Sequence, residues 1–266
     1  MYKAFYSLNA IPFSKSIETK NLFKSNTFNE SIARLNYLLN SKGIGLITSE
    51  AGCGKTTILR AFKDSLNESL YKVIYFPFSS GTVKDFYRGI VSLLGEEPKF
   101  RKVDLSNQIQ NAIKTLYYKN RITPVIILDE MQMANNKFLN DLSLLFNFSM
   151  DSQNPYVLII VGLSHLTHRM HLKSNQSLNQ RISMRYELEA LNKDEVNDYI
   201  NHHLELVGAP YKILNDDAIE AIATNSRGIP RIINNLVTHA LIRGSIDQKQ
   251  NIDAEIIYEI SKEVGI

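Results

Sequence analysis

A glycine-rich turn at residues 48–57 constrains this chain more than any other stretch of its sequence. The residues before it, 44–47, form a short apolar run, which predicts a buried strand. The segment after it carries apolar residues at helical spacing from Ile58 onward, which predicts a helix. A strand, a tight turn and a helix in this order place free backbone N–H groups at the start of the helix, where they can bind an anion.

The turn fits the phosphate-binding pattern G-x-x-x-x-G-K-S/T at all positions except the first. Gly52 and Gly54 allow a tight fold in which successive N–H groups point at phosphate oxygens. We expect Lys55 to neutralise charge on the β- and γ-phosphates and Thr56 to offer its hydroxyl to Mg²⁺. Ser49 replaces the first glycine, and because serine tolerates a positive φ poorly, we expect the loop to begin differently. The residues predicted to surround the nucleotide are Ser49, Glu50, Ala51, Gly52, Cys53, Gly54, Lys55, Thr56 and Thr57.

Two carboxylates end a second predicted strand. Residues 125–128 are four consecutive apolar residues, which is typical of a strand buried on both faces of a parallel sheet. Asp129 and Glu130 follow at its carboxyl end, where parallel sheets bind their ligands. We expect Asp129 to hold Mg²⁺ through water and Glu130 to polarise the attacking water in phosphoryl transfer. The alternative is a pair of surface acids that merely ends a strand.

A polar residue follows the next predicted strand, at 157–162. Ser164 is our first candidate to reach the γ-phosphate from there, and His165 is the second. A simple turn at the end of the strand explains these residues equally well.

No acidic residue occurs between Ser152 and Tyr186, although arginines, lysines and histidines do. Such a run usually marks a solvated face. Two sharper interpretations are that Arg181 or Arg185 acts as an arginine finger across a subunit boundary, and that the other basic residues face a polyanion. The histidines at 165, 168 and 171 resemble a metal site only weakly, because no carboxylate or thiol joins them.

Strands and helices alternate up to about residue 190, which predicts an α/β fold with a doubly wound parallel sheet. After that point only helices are predicted, the first with a capping box at Asn192 and Glu195. We therefore divide the chain into an N-terminal strap (1–25), an α/β nucleotide-binding domain (26–190) and a helical domain (191–266).

The composition is that of an ordinary globular protein, with 44% hydrophobic and 21% charged residues. The net charge of +3 permits a nucleic-acid partner without requiring one. Cys53 is the single cysteine, so no intramolecular disulfide can form, which suits a reducing cytosol. The N-terminus lacks the apolar core of a signal peptide, and the longest apolar run, 156–163, is far below the ~20 residues that span a bilayer. We expect a cytoplasmic protein with no membrane segment.

These elements together resemble the AAA+ ATPases, whose Walker A, Walker B and Gly-x-Pro-Arg sensor 2 motifs occur in the same order. Here the last motif is Gly228-Ile229-Pro230-Arg231. The opening Phe5-Tyr6-x-Leu8 with Pro12-Phe13, and the later Leu178-Asn179-Gln180-Arg181-Ile182, look like segments of the secretion ATPase ExeA and of transposon-encoded regulators such as TnsC, TniB and IstB.

The resemblance implies a P-loop ATPase core with a small helical lid, and ATP and Mg²⁺ as its ligands. It places Pro12 and Phe13 near the adenine and makes Arg181 the finger. Arg231, at the start of a helix with proline in its first turn, would reach toward the nucleotide, although a surface arginine at a helix cap is the plainer interpretation.

Within this group the expected function is an ATP-hydrolysing regulator from a mobile element. It would oligomerise with ATP on duplex DNA, mainly through backbone phosphates, and recruit or regulate a transposase. ExeA-like proteins carry a membrane segment and a peptidoglycan-binding region after the ATPase, and because this chain ends at Ile266 with neither, we favour the transposition branch. The alternatives are a secretion or pilus-assembly ATPase that acts on protein, and a nucleotide-gated adaptor with negligible turnover. The residues expected on DNA are Lys99, Arg101, Lys102, Lys119, Arg121 and Lys173.

Overall fold

The computed structural model of the chain describes residues 2–14, 16–78 and 82–265. It divides into two compact units, each with its own hydrophobic core. The α/β unit comprises Glu30–Ala51 and Ile58–Leu188, and the helical unit comprises Met1–Asn29, Gly52–Thr57 and Glu189–Ile266. The N-terminal strap and the glycine-rich turn therefore group with the C-terminal helices.

A five-stranded sheet in the order β2-β3-β4-β1-β5 forms the α/β unit, and all of its pairings are parallel. The three central strands are buried along almost their whole length, because they are apolar on both faces. This confirms the predicted α/β fold with a parallel sheet. The strands are β1 Gly43–Ser49, β2 Tyr71–Pro77, β3 Thr123–Asp129, β4 Val157–Leu163 and β5 Ile182–Leu188.

Helices connect the strands and continue after the last one. They are α1 Tyr2–Phe5, α2 Asn26–Ser41, α3 Lys55–Ser65, α4 Val83–Leu94, α5 Lys102–Lys114, α6 Asn136–Leu145, α7 His165–Met170, α8 Gln176–Arg181, α9 Lys193–Leu206, α10 Asp216–Ser226, α11 Pro230–Ile246 and α12 Ala254–Val264. Single helical turns add Thr19–Asn21, Thr115–Lys119, Met131–Met133, Ser149–Asp151 and Lys173–Asn175. In the described part of the chain, none of these helices combines the length and the apolar character that crossing a bilayer requires.

Local hydrogen bonds explain why several helices begin where they do. The predicted capping box of α9 is present: Asn192 Oδ1 accepts from Glu195 N at 2.9 Å, and Asn192 N donates to Glu195 Oε2 at 3.1 Å. Thr82 and Asp85 form the same reciprocal pair at the start of α4. These pairs satisfy backbone N–H groups that have no partner within the helix.

The strap is part of the core of the helical unit. Tyr6 is completely buried, and its hydroxyl donates to the carbonyl oxygen of Lys249 at 3.0 Å. A Cβ atom at Gly244 would lie 2.2 Å from that hydroxyl, so only glycine leaves room for the tyrosine. The buried ring of Tyr6, which fits in the space left by Gly244 of α11, therefore helps to anchor the strap.

Candidate nucleotide-binding site

The phosphate-binding pattern begins at Ser49, inside a strand. Ser49 is the last residue of β1, it is buried, and its φ is not positive. Its hydroxyl donates to the carbonyl oxygen of Glu50 at 2.7 Å. The residue still belongs to the extended strand, a conformation that any side chain can adopt, and an effect of serine on the shape of the loop stays a prediction.

Glycine is required at the next two positions of the pattern. Gly52 and Gly54 have φ values of 94° and 95°, which side chains rarely tolerate. Cys53 between them is buried, and α3 begins at Lys55 directly after the second glycine. The turn thus ends at a helix N-terminus, with Lys55 partly buried and Thr56 exposed at its first two positions.

Arg231 is in contact with the glycine-rich turn inside the helical unit. Its backbone N–H donates to the carbonyl oxygen of Gly52 at 3.3 Å. A Cβ atom at Gly52 would lie 2.9 Å from Cβ of Arg231 and 3.1 Å from Cγ2 of Ile229, so the bare glycine allows this approach. The side chain of Arg231 is exposed. From the sequence, a contact between Arg231 and the glycine-rich turn could be expected only because of the family resemblance.

Asp129 is buried at the end of β3, and both of its carboxylate oxygens are engaged. Oδ2 accepts from the Tyr75 hydroxyl at 2.9 Å, and Oδ1 accepts from Glu130 N at 2.8 Å. Burial first, and then the bond to Asp129, raise the pKa of Tyr75 above its usual value, so the phenol stays protonated and continues to donate. A carboxylate fixed in this way suits contact with Mg²⁺ through water, since each oxygen accepts more than one bond.

Glu130 has an exposed side chain and a left-handed backbone, with φ 59° and ψ 29°. Its Oε2 accepts from Gln132 Nε2 at 2.5 Å. Gln132 Oε1 accepts in turn from Leu163 N at 3.2 Å, at the end of β4. Sequence analysis missed both Gln132 and Tyr75, and only the position of Gln132, two residues after the acid, offered a signal.

Ser164 carries an unsatisfied hydroxyl. Its Oγ is buried and has no hydrogen-bond partner among the residues that the structure describes, whereas its N–H donates to the carbonyl oxygen of Ser49 at 3.2 Å. A buried hydroxyl without a partner is costly, and an incoming phosphate oxygen would satisfy it. Ser49, Asp129, Glu130 and Ser164 thus share the carboxyl edge of the sheet, while His165 has an exposed side chain there.

The two finger candidates lie in different surroundings. Arg181 is the last residue of α8. Its Nε and Nη2 form a bidentate salt bridge with the Asp151 carboxylate, and its Nη1 donates to the carbonyl oxygen of Ser143. Arg185, on β5, donates through Nη2 to the carbonyl oxygen of Asn179 at 2.6 Å, while its Nη1 is buried without a partner in the described residues. Burial lowers the pKa of Arg185 from its usual value. A finger role for either residue stays a prediction.

Of the two strap residues expected near the adenine, Phe13 lies against α9. Pro12 is buried, and the Phe13 ring lies 4.8 Å from the ring of His203, centroid to centroid. His203 is only 6% exposed and also contacts the Tyr199 ring at 4.5 Å. Burial, and then the neighbouring His202, lower the pKa of His203 to about 4. This histidine is therefore neutral at physiological pH.

We expect the helical unit to lose stability in mild acid because of His203. The unfolded chain takes up this proton near pH 6.5 and the folded chain only near pH 4, so the stability present above the first value is lost as the pH falls toward the second. The shift corresponds to at most about 3 kcal/mol. Thermal melting of wild type and His203→Phe at pH 7 and pH 4.5 measures it. The variant should lose less stability, and an equal loss in both proteins would contradict this assignment; exposed His239→Asn is the control.

The histidines at 165, 168 and 171 are all exposed. Within the described ranges, no group of three or more histidine, cysteine, aspartate or glutamate side chains is arranged to hold a metal ion. The assignment of Asp129 and Thr56 to Mg²⁺ stays a prediction.

The six basic residues expected on DNA are all exposed and lie on three separate segments. Lys99 and Arg101 flank Phe100, whose ring is 79% exposed and lies 3.9 Å from the Lys84 ammonium group. Lys102 begins α5 and pairs with Asp141 at 2.8 Å. The other two segments carry Lys119 and Arg121, just before β3, and Lys173, between α7 and α8.

A family model described as an AAA domain matches residues 38–170, half of the chain. General secretion pathway protein A of Aeromonas hydrophila is 30% identical over 246 residues, which is 91% of this chain and 44% of that protein. The chain thus spans less than half the length of this curated relative.

Two solved structures share the fold. Cdc6p from Pyrobaculum aerophilum has a TM-score of 0.68 at 15% identity and covers 98% of this chain and 71% of its own. The ORC1 protein of Aeropyrum pernix, in complex with DNA, has a TM-score of 0.64 at 16% identity, with coverages of 99% and 69%. Identities this low establish the architecture alone.

Proposed function

The chain belongs to the AAA family of P-loop ATPases, and on that premise we propose that it hydrolyses ATP with the residues described above and assembles on duplex DNA when ATP is bound. The observation that carries the proposal is the glycine-rich turn with left-handed Gly52 and Gly54, leading into Lys55. The acidic pair Asp129 and Glu130 at the end of a central strand completes the set of groups that phosphoryl transfer needs.

Each residue has a distinct role in this proposal. Lys55 and the N–H groups of the turn bind the β- and γ-phosphates, and Arg231 binds the nucleotide from the start of α11. Thr56 and Asp129 hold Mg²⁺, which neutralises charge on the phosphate oxygens. Glu130 takes a proton from the attacking water. Ser164 donates its hydroxyl to a γ-phosphate oxygen. This role is supported by the lack of any other hydrogen-bond partner for that hydroxyl in the described residues.

We further propose that ATP drives oligomerisation and that Arg181 serves the nucleotide of a neighbouring protomer. An added positive charge stabilises the transition state of phosphoryl transfer. Arg185 is the alternative finger. In that assembly, hydrolysis of ATP to ADP and phosphate limits the lifetime of the oligomer, which is then released.

The loop at residues 99–101 supports DNA as the partner. Two exposed cationic side chains flank an exposed aromatic ring there, and Lys84 adds a third positive charge. Lys99 N donates to Gln108 Oε1 at 3.0 Å, so the loop is held in shape. Phosphate contacts from such residues bind DNA without reading its sequence. Because the net charge is only +3, several protomers are needed for tight binding.

Fluorescence anisotropy on unrelated duplexes, with an ATP analogue and a salt series, tests this proposal. We expect binding that needs the analogue, with log K falling by roughly 0.9 per log salt for each phosphate contact. Lys99→Ala/Arg101→Ala should weaken binding and reduce that slope, whereas the charge-matched control Lys63→Ala/Lys262→Ala should not. No affinity at low salt with the analogue present would remove DNA from the account.

The proposed recipient of the DNA-bound assembly is a transposase, in line with the transposon-encoded regulators that the sequence resembles. The second candidate function is an ATPase that acts on protein in secretion, which the 30% identity to General secretion pathway protein A favours. A chain that hydrolyses ATP without any DNA affinity would support this second candidate. A chain that binds ATP with negligible turnover would be an adaptor.

A further inference from the structure

We propose that Gln132 is a positioning residue that orients the Glu130 carboxylate for its work on water. The inference rests on the proposed ATP hydrolysis, in which Glu130 accepts the proton. The observation that supports it is the pair of hydrogen bonds made by the side-chain amide of Gln132. Its nitrogen donates to Glu130 Oε2, and its oxygen accepts from Leu163 N.

The backbone brings the two side chains together. Glu130 adopts a left-handed conformation, and the single helical turn Met131–Met133 follows it, closed by a bond from Met133 N to the Glu130 carbonyl oxygen at 3.0 Å. This bend turns the chain back at once, so that the side chains of residues 130 and 132, which are two positions apart, meet. In an extended chain, residues two apart point the same way without bending toward each other.

Gln132 is itself fixed from three sides. Its backbone oxygen accepts from Arg169 Nη1 at 2.9 Å, and its side-chain oxygen accepts from Leu163 N. A Cβ atom at Gly162 would lie 3.1 Å from Gln132 Oε1 and 3.2 Å from Gln132 N, so the amide occupies space that only glycine leaves open. The amide is thus seated on the end of β4, directly before Ser164.

This geometry lets an exposed carboxylate hold one orientation. A freely rotating Glu130 would spend little time in the attacking geometry, and positioning of the reacting groups contributes strongly to rate. With Oε2 bound to the amide, Oε1 is the oxygen left to accept the proton from water. The same amide links Glu130 to Leu163, which directly precedes Ser164. The positions of Glu130 and Ser164 are therefore coupled through Gln132.

Two substitutions separate the two bonds of the amide. Gln132→Ala removes both, whereas Gln132→Glu keeps an oxygen that accepts from Leu163 N and removes the donor to Glu130. We expect kcat to fall about 10- to 100-fold in both variants, a part of the ~10²–10⁴ that a general base contributes. The KM for ATP, the affinity for an ATP analogue and the melting temperature of Gln132→Glu should stay close to wild type.

Steady-state phosphate release, with Met133→Ala as the control from the same turn, decides the matter. Wild-type kcat in Gln132→Glu would overturn the proposal, because the tie to β4 alone would then suffice. A parallel loss of ATP affinity and melting temperature in Gln132→Glu would also overturn it, in favour of a structural role. If Glu130→Gln itself hydrolyses ATP normally, the role that the proposed function gives to Glu130 fails instead, and the two failures are distinguishable.

Discussion

Lys55→Ala is expected to lose ATP binding, while Glu130→Gln is expected to bind ATP and fail to hydrolyse it. The lysine contributes a charged contact to the phosphates, worth about 1.5–3 kcal/mol, so affinity should fall roughly 10- to 100-fold. The glutamate acts only on water, and its amide analogue keeps shape and volume but accepts no proton. Turnover should therefore fall by about 10²–10⁴ without loss of affinity.

Equilibrium binding of a fluorescent ATP analogue, together with phosphate release, measures both effects. Lys63→Ala is a matched control, since Lys63 is an exposed lysine on the same helix, α3. Tight binding by Lys55→Ala, equal to that of wild type, would remove the P-loop assignment.

The second large effect concerns Arg181, whose proposed role as an arginine finger can be tested separately from its ion pair with Asp151. Arg181→Ala should reduce turnover by about 10³–10⁵ if the residue acts as a finger. Asp151→Ala removes the same ion pair and leaves the arginine in place. Arg181→Ala also removes the bond to the Ser143 carbonyl oxygen, so we expect it to lose somewhat more stability than Asp151→Ala, and only Arg181→Ala to lose most of its activity.

Mixing experiments show whether the arginine acts on a neighbour. Arg181→Ala mixed with Lys55→Ala should regain part of the activity, because one kind of interface in the mixture has both an intact nucleotide site and an intact finger. No recovery at any ratio, in a preparation shown to co-assemble, would count against action in trans. Equal turnover in Arg181→Ala and Asp151→Ala would reduce the arginine to a partner of Asp151, and Arg185→Ala would then be the variant to compare.

The central strands were predictable from the sequence because they are buried on both faces and read as uninterrupted apolar runs. The edge strand β5 was not predicted. Its buried residues Ile182, Met184 and Leu188 alternate with polar ones, and it pairs on one side only, with β1. The resulting signal is short and weak, and the span looked like a basic segment without a regular structure.

The proposed site residues that lie within one continuous motif, such as Lys55 and Asp129, could be named from the sequence. The supports of the acidic pair could not, because they come from neighbouring strands: Tyr75 reaches Asp129 from β2, and Gln132 links Glu130 to β4. Such contacts depend on strand order and on the left-handed turn at Glu130, and neither can be derived from residue spacing. The conformation of Ser49 could not be derived from the sequence for a related reason, since its φ depends on where β1 ends.

Phosphate release by the purified chain, with and without duplex DNA, tests the central claim most directly when Glu130→Gln is measured beside it. The account predicts many turnovers per wild-type chain, a rate that rises with DNA, and no more than residual release from the variant. Release at the same rate from wild type and Glu130→Gln, or none from wild type that binds ATP, would contradict it.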